Sequence, residues 1–183
     1  MRNPLRRLPW TARVATVACL VAAAALSRLL PHPPNFTPLA AMALFAGAFL
    51  PPPLPAVMIP LAAMLASDLF LGFHDQMPAV YLSFALTVAL GRILGGRRRP
   101  APLALAALSA SALFFALTNF GVWAAGSLYP RTFEGLATCY TAALPFFRNT
   151  LFGDLLYTAV LFGGFALLER RVPVLARETG GAG

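Results

Sequence analysis

The sequence predicts an all-α integral membrane protein, a bundle of six transmembrane helices with an amphipathic helix on its outer side. Three observations predict it. Of 183 residues, 59% are apolar and only 11% charged, with mean hydropathy +0.74, whereas a soluble domain carries about 25% charged residues. Six long apolar stretches are separated by prolines and arginines. The arginines then sort almost entirely to one side of the resulting topology.

In the first stretch, about 11–30, the apolar run Val14 to Leu26 follows Arg2, Arg6, Arg7 and Arg13. Basic residues before an apolar run, with small residues at Ala22 to Ala25, also suit a secretory signal. The run continues past Ser27 and Arg28 to Leu30, however, and about 20 residues suffice to span, so a retained first helix is expected. The second stretch, 36–50, ends at Pro51, Pro52 and Pro53. At 1.5 Å per residue it is about 22 Å long, short of a ~30 Å hydrocarbon core, which leaves part of the depth to loop or cavity. The third, 55–73, starts with Pro55 in its first turn, where a missing N–H costs nothing, and Pro60 predicts a kink at mid-span. The fourth is 77–94, with Pro78 in the first turn. Arg97 to Arg99, Pro100 and Pro102 separate it from the fifth, 101–126.

Between the fifth stretch and the sixth (150–168), the segment Tyr129 to Phe147 is too polar to span. Its residues Phe133, Leu136, Ala137, Tyr140 and Leu144 share one helical face, which predicts an amphipathic helix lying over the outer surface as a lid. The whole reads as a single transmembrane domain, 1–177, and a disordered tail, 178–183.

Arginine placement sets the orientation. With the N-terminus in the cytoplasm, the inner segments hold Arg2, Arg6, Arg7, Arg13, Arg92, Arg97, Arg98, Arg99, Arg170, Arg171 and Arg177, eleven of the fourteen, and the outer segments hold Arg28, Arg131 and Arg148. This satisfies the positive-inside rule. An odd number of spans would split Arg97–Arg99 from Arg170–Arg171, so six are expected and both termini are cytoplasmic. A net charge of +8 also raises nucleic acid as a partner. Clusters interrupted by long apolar stretches are membrane loops instead, and nucleic acid is excluded.

On this topology the polar residues converge on the outer side. Arg28 ends the first helix, with His32, Asn35 and Thr37 in the following loop. Asp68 lies near the outer end of the third helix, with His74 and Asp75 beyond it. Asn119 and Trp123 lie towards the outer end of the fifth, Arg148 and Asn149 precede the sixth, and Asp154 and Tyr157 open it. A carboxylate within the apolar region costs about 2.5–3.5 kcal/mol on insertion scales. Asp68 and Asp154 should therefore face the interior with partners, for which Arg28 and Arg148 are candidates. Two readings follow: internal salt bridges that fix helix ends, or a cavity open to the outside that presents charge to a small polar ligand. The aromatics there suit an interfacial belt, with Trp123 the best candidate to stack on a ligand.

Other chemistry finds little support. His32 and His74 lie in different loops without close ligand spacing, so no metal and no cofactor is expected. Cys19 and Cys139 are too far apart in the topology to suggest a disulfide. Without H-E-x-x-H, G-x-S-x-G or a recognisable Cys–His pairing, an enzyme is the least favoured class. Ala15, Ala18, Ala22 and Ala25 form a small-residue stripe on the first helix, suited to packing within the bundle or against another subunit.

Several motifs carry a resemblance. Ser27-Arg28-Leu-Leu-Pro31-His32-Pro33-Pro34-Asn35-Phe36-Thr37-Pro38, Ser67-Asp68-Leu-Phe-Leu-Gly72-Phe73-His74 and Thr118-Asn119-Phe120-Gly121-Val122-Trp123 resemble an uncharacterised family of bacterial six-helix membrane proteins, a domain of unknown function. So do Tyr129-Pro130, Cys139-Tyr140, Pro145-Phe146-Phe147-Arg148-Asn149 and Gly153-Asp154, over roughly residues 25–170. More loosely, the chain is similar to the substrate-binding S components of energy-coupling-factor (ECF) vitamin transporters. That similarity implies an outward-facing vitamin site in the bacterial inner membrane, and an Ala-x-x-x-Ala face, matched by Ala18 and Ala22, that docks a transmembrane coupling subunit. No phosphate-binding G-x-x-x-x-G-K-[ST] loop is present, so an ATP-driven cycle would need separate ATPases. The expectation is a substrate-binding membrane component for uptake of a vitamin-like molecule; the alternative is a non-catalytic structural subunit of a larger membrane complex.

Overall fold

The computed structural model describes residues 8–50, 54–97 and 99–175. Among them the chain is all-α, without a strand. Helices α1 (Leu8–Ser27), α2 (Leu39–Phe49), α3 (Leu54–Leu71), α4 (Met77–Leu94), α5 (Pro100–Ala125) and α6 (Phe133–Arg171) are followed by a 3-10 turn at Pro173–Leu175. Helices α3 to α6 are long and apolar enough to cross a membrane; the apolar part of α1, Ala12–Ser27, and all of α2 are shorter. The tail 178–183 and Arg2, Arg6, Arg7, Arg98 and Arg177 of the arginine count lie outside the described residues.

Helix α2 is the hub. Its sequence, LAAMALFAGAF, is apolar on every side, and a helix of that kind is stable only when surrounded. Every residue from Leu39 to Gly47 is buried, and α2 packs against all five other helices. The tightest approach is to α4. A Cβ on Gly47 would lie 2.1 Å from the Val88 carbonyl oxygen, and one on Gly91 would lie 2.3 Å from that of Leu44. Each glycine thus admits the other helix's backbone, as small residues do in membrane helix pairs.

Below this crossing the rings of Phe45, Phe49, Phe162 and Phe165 pack together, the Phe45 ring meeting Phe162 and Phe165 edge-on at 5.3 and 5.4 Å. Arg13 of α1 lies over the Phe49 and Phe165 rings, 5.5 and 5.0 Å from their centroids. It pairs with Glu169 and donates to the Leu175 carbonyl at 2.7 Å. The start of α1 and the end of α6 are therefore fastened at one end of the bundle. Away from α2 the surface is strongly apolar: Phe70 is 79% exposed and Ile93 74%. Water would penalise such faces, whereas hydrocarbon solvates them.

Three sequence expectations are corrected. The second helix is shorter than 36–50: α2 has 11 residues, about 16 Å, because Phe36 and Thr37 belong to the entering loop. The outer amphipathic helix and the sixth span are one element, α6, of 39 residues running through Pro145, which at 1.5 Å per residue is about 58 Å. Its predicted apolar face covers the bundle only in part. Phe133 is 84% and Leu144 53% exposed, while Gly135 and Cys139 are the residues turned inward. Only one edge of the predicted face meets α5: Tyr140 donates to the Ala116 carbonyl at 2.6 Å and packs on the Phe115 ring at 5.4 Å. Helix α3 runs through buried Pro60, and Cys19 and Cys139 are both free.

Candidate functional site

At the end opposite Arg13 and Glu169, three helices are tied by one ionic cluster. Helix α1 stops at Ser27, and Arg28, just beyond it, reaches across to α3. Its Nη1 donates to Asp68 Oδ1 at 2.8 Å, to Ser67 Oγ and, at 3.5 Å, to the Met64 carbonyl. From α4, the Tyr81 hydroxyl donates to Asp68 Oδ2 at 2.8 Å. Asp68 is 2% exposed and has both carboxylate oxygens engaged. Arg28 Nε is also buried but has no partner among the described residues.

Asp154 lies deeper. It is the twenty-second residue of α6, not part of its opening turn, and its Oδ2 accepts from Ser111 Oγ at 2.6 Å, midway along α5. Its carboxylate also accepts from the Ala40 backbone N–H. Helix α2 has no side-chain cap of its own at Pro38. Asp154 therefore serves as that cap from a neighbouring helix, placing a negative group where the helix dipole favours one.

The loop between α1 and α2 descends towards this point. Asn35, at φ 61°, makes its turn in the left-handed region that asparagine tolerates better than most residues. Asn149 of α6 donates from Nδ2 to the Pro34 carbonyl at 3.0 Å, and the Phe36 ring packs on Tyr157 at 5.9 Å. Two adjoining cavities open beside the pinned loop. One, of about 210 Å³, is lined by Arg28, Asn35, Thr37, His74, Thr150 and Asp154 with Leu39, Ala40, Val80 and Phe114. The other, about 220 Å³, shares Asn35, Val80, Phe114 and Thr150 and is walled by Phe115, Phe146, Phe147, Thr118 and Asn119. Together they reach the lower part of the ~300–1,000 Å³ range of small-molecule sites. A third cavity, about 350 Å³, is an apolar groove between α5 and α6 running from Pro100 to Ala166.

Of the residues singled out in the sequence, Arg28, Asn35, His74 and Asp154 line the polar cavity and Asn119 the aromatic one. Asp68 stands behind Arg28. The others have different places. Exposed His32 has Nδ1 2.6 Å from the Leu30 carbonyl. Trp123 donates from Nε1 to the Pro130 carbonyl at 3.0 Å, holding the α5–α6 connection, and pairs with the Phe120 ring. Asn149 and Tyr157 pin the loop. Arg148 is exposed and makes no ion pair among the described residues, so it does not pair with Asp154. Ala18 is half-buried and Ala22 exposed on α1. No three His, Cys, Asp or Glu side chains come together as a metal site among the described residues.

Sequence reasoning missed Tyr81, Ser111, Thr150 and the Phe114–Phe115 and Phe146–Phe147 walls. Tyr81 had a signal: it opens α4 as Asp68 closes α3, so the short connection brings the two side by side. Thr150 had another, standing one helical turn before Asp154 on the same face.

A family model, DUF6580, described as a family of unknown function, matches residues 9–175. The chain belongs to this family. The match begins within α1 and ends with the 3-10 turn, so DUF6580 membership covers every helix that frames the cavities. No curated protein and no solved structure matches the chain.

Proposed function

We propose that this DUF6580 protein is a substrate-binding component of a membrane uptake system for a small, vitamin-like molecule. One observation carries the reading: Arg28, His74 and Asp154, with Asn35 and Thr150, line adjoining cavities at one end of a largely apolar bundle, beside an aromatic wall. Polar groups kept for structure alone would be sealed by packing, whereas Arg28, Asn35, His74, Thr150 and Asp154 border open volume. Asn119 adds a polar contact in the aromatic lobe. Six crossings in a bacterial inner membrane, with both termini cytoplasmic, turn this end outwards. The charge placement supports that orientation, because Arg92, Arg97, Arg170 and Arg171 lie at or beyond the helix ends on the Arg13–Glu169 side. Coupling to ATP hydrolysis falls to separate subunits, with Ala18 and Ala22 on α1 as the face for a transmembrane partner, in the manner of an ECF S component.

The test is native mass spectrometry of the full chain extracted in mild detergent. A small-molecule adduct is expected on the wild type and should be absent from Thr150→Trp, which fills the wall common to both lobes. A bare wild-type mass together with a stoichiometric protein partner would instead identify a structural subunit. The apolar α5–α6 groove is the observation that favours this second reading.

A further inference from the structure

The two buried carboxylates at the cavity end are treated differently by the fold. Asp68 is paired with a guanidinium at 2.8 Å. Asp154, equally buried at 2% exposure, has no cationic partner among the described residues. What it has is the Ser111 hydroxyl and the Ala40 N–H in the first turn of α2. A helix N-terminus carries only a partial positive charge, so neither contact supplies a full countercharge. Arg28 borders the same cavity, but its Nη1 is engaged by Asp68; Arg148 is exposed elsewhere, and His74 is exposed at the cavity. Asp154 also lines the cavity.

We propose that Asp154 anchors a positively charged nitrogen of the bound molecule, whose ring system lies in the adjoining lobe between Phe114, Phe115, Phe146 and Phe147. The inference rests on the ligand-binding reading above and names its substrate class: a compact aromatic or heteroaromatic cation. An ammonium or ring N–H⁺ would make a charge-assisted hydrogen bond to the carboxylate, stronger than one between neutral groups. Electron-rich ring faces favour the same charge. An anionic molecule of the same shape would instead bring like charge against Asp154.

Three indoles of nearly one shape separate charge from fit: tryptamine, tryptophol and indole-3-acetate, bearing a positive, a neutral and a negative end group at pH 7. Binding to the full chain in detergent is measured by calorimetry. Tryptamine should bind roughly ten-fold or more tightly than tryptophol, with indole-3-acetate weakest, and Asp154→Asn should lower tryptamine to the level of tryptophol. The order of the three on the wild type decides the matter even if the variant fails to fold. Equal binding of all three, or a preference for indole-3-acetate, overturns the cation while leaving a ligand cavity intact. Binding of none overturns the proposed class, and the mass-spectrometric adduct then tells whether the cavity reading survives it.

Discussion

Asp68 collects an arginine from α1 and a tyrosine from α4, so three helices depend on one carboxylate. Removing one partner of a buried ion pair typically costs about 3–5 kcal/mol, because the other charge stays behind without compensation. Losing a single hydroxyl hydrogen bond costs about 1 kcal/mol. Asp68→Ala should therefore destabilise by about 3–5 kcal/mol and Tyr81→Phe by only about 1 kcal/mol, read from denaturant unfolding in detergent. Equal effects would show that the ion pair is not the junction described. Arg148 shows where legibility at this scale ended. It precedes Asp154 by six residues, and six steps of a 3.6-residue helix carry it about 120° around the axis from Asp154. The separation was visible once α6 was known to be continuous; a loop ending at residue 149 concealed it.

Among the elements, the apolar stretches and their proline boundaries announced the helices well, because hydrophobic length and a missing N–H act locally. What stayed hidden was tertiary. Nothing local distinguishes α2 as the hub from a merely short span, and Pro145 with Arg148 and Asn149 reads as a break although α6 passes through it. The α2–α4 crossing gives this scale its prediction. Gly47→Ala and Gly91→Ala should each destabilise clearly, since a methyl would collide with backbone at 2.1 and 2.3 Å. Gly163→Ala and Gly164→Ala, with open space around their Cβ positions, should be neutral or stabilising by about 0.5–1 kcal/mol through helix propensity alone. Thermal unfolding of the four variants checks the contrast. Tolerance at Gly47 and Gly91 would mean the helices do not approach so closely.

The whole molecule is an apolar bundle with its two ends chemically distinct. One is fastened by Arg13 and Glu169 and flanked by arginines; the other holds the Arg28–Asp68–Tyr81 cluster and the cavities above Asp154. Composition made the membrane setting legible. The polar convergence was legible in outline, but not the depth of Asp154, which follows from how far α6 extends before reaching it. The most direct measurement is thiol labelling in intact cells with a membrane-impermeant maleimide, on a chain with Cys19 and Cys139 replaced by alanine. Thr118→Cys, in the wall of the aromatic lobe, should react from outside, and Arg97→Cys only after the cells are permeabilised. Arg97→Cys reacting in intact cells while Thr118→Cys stays protected would contradict the account.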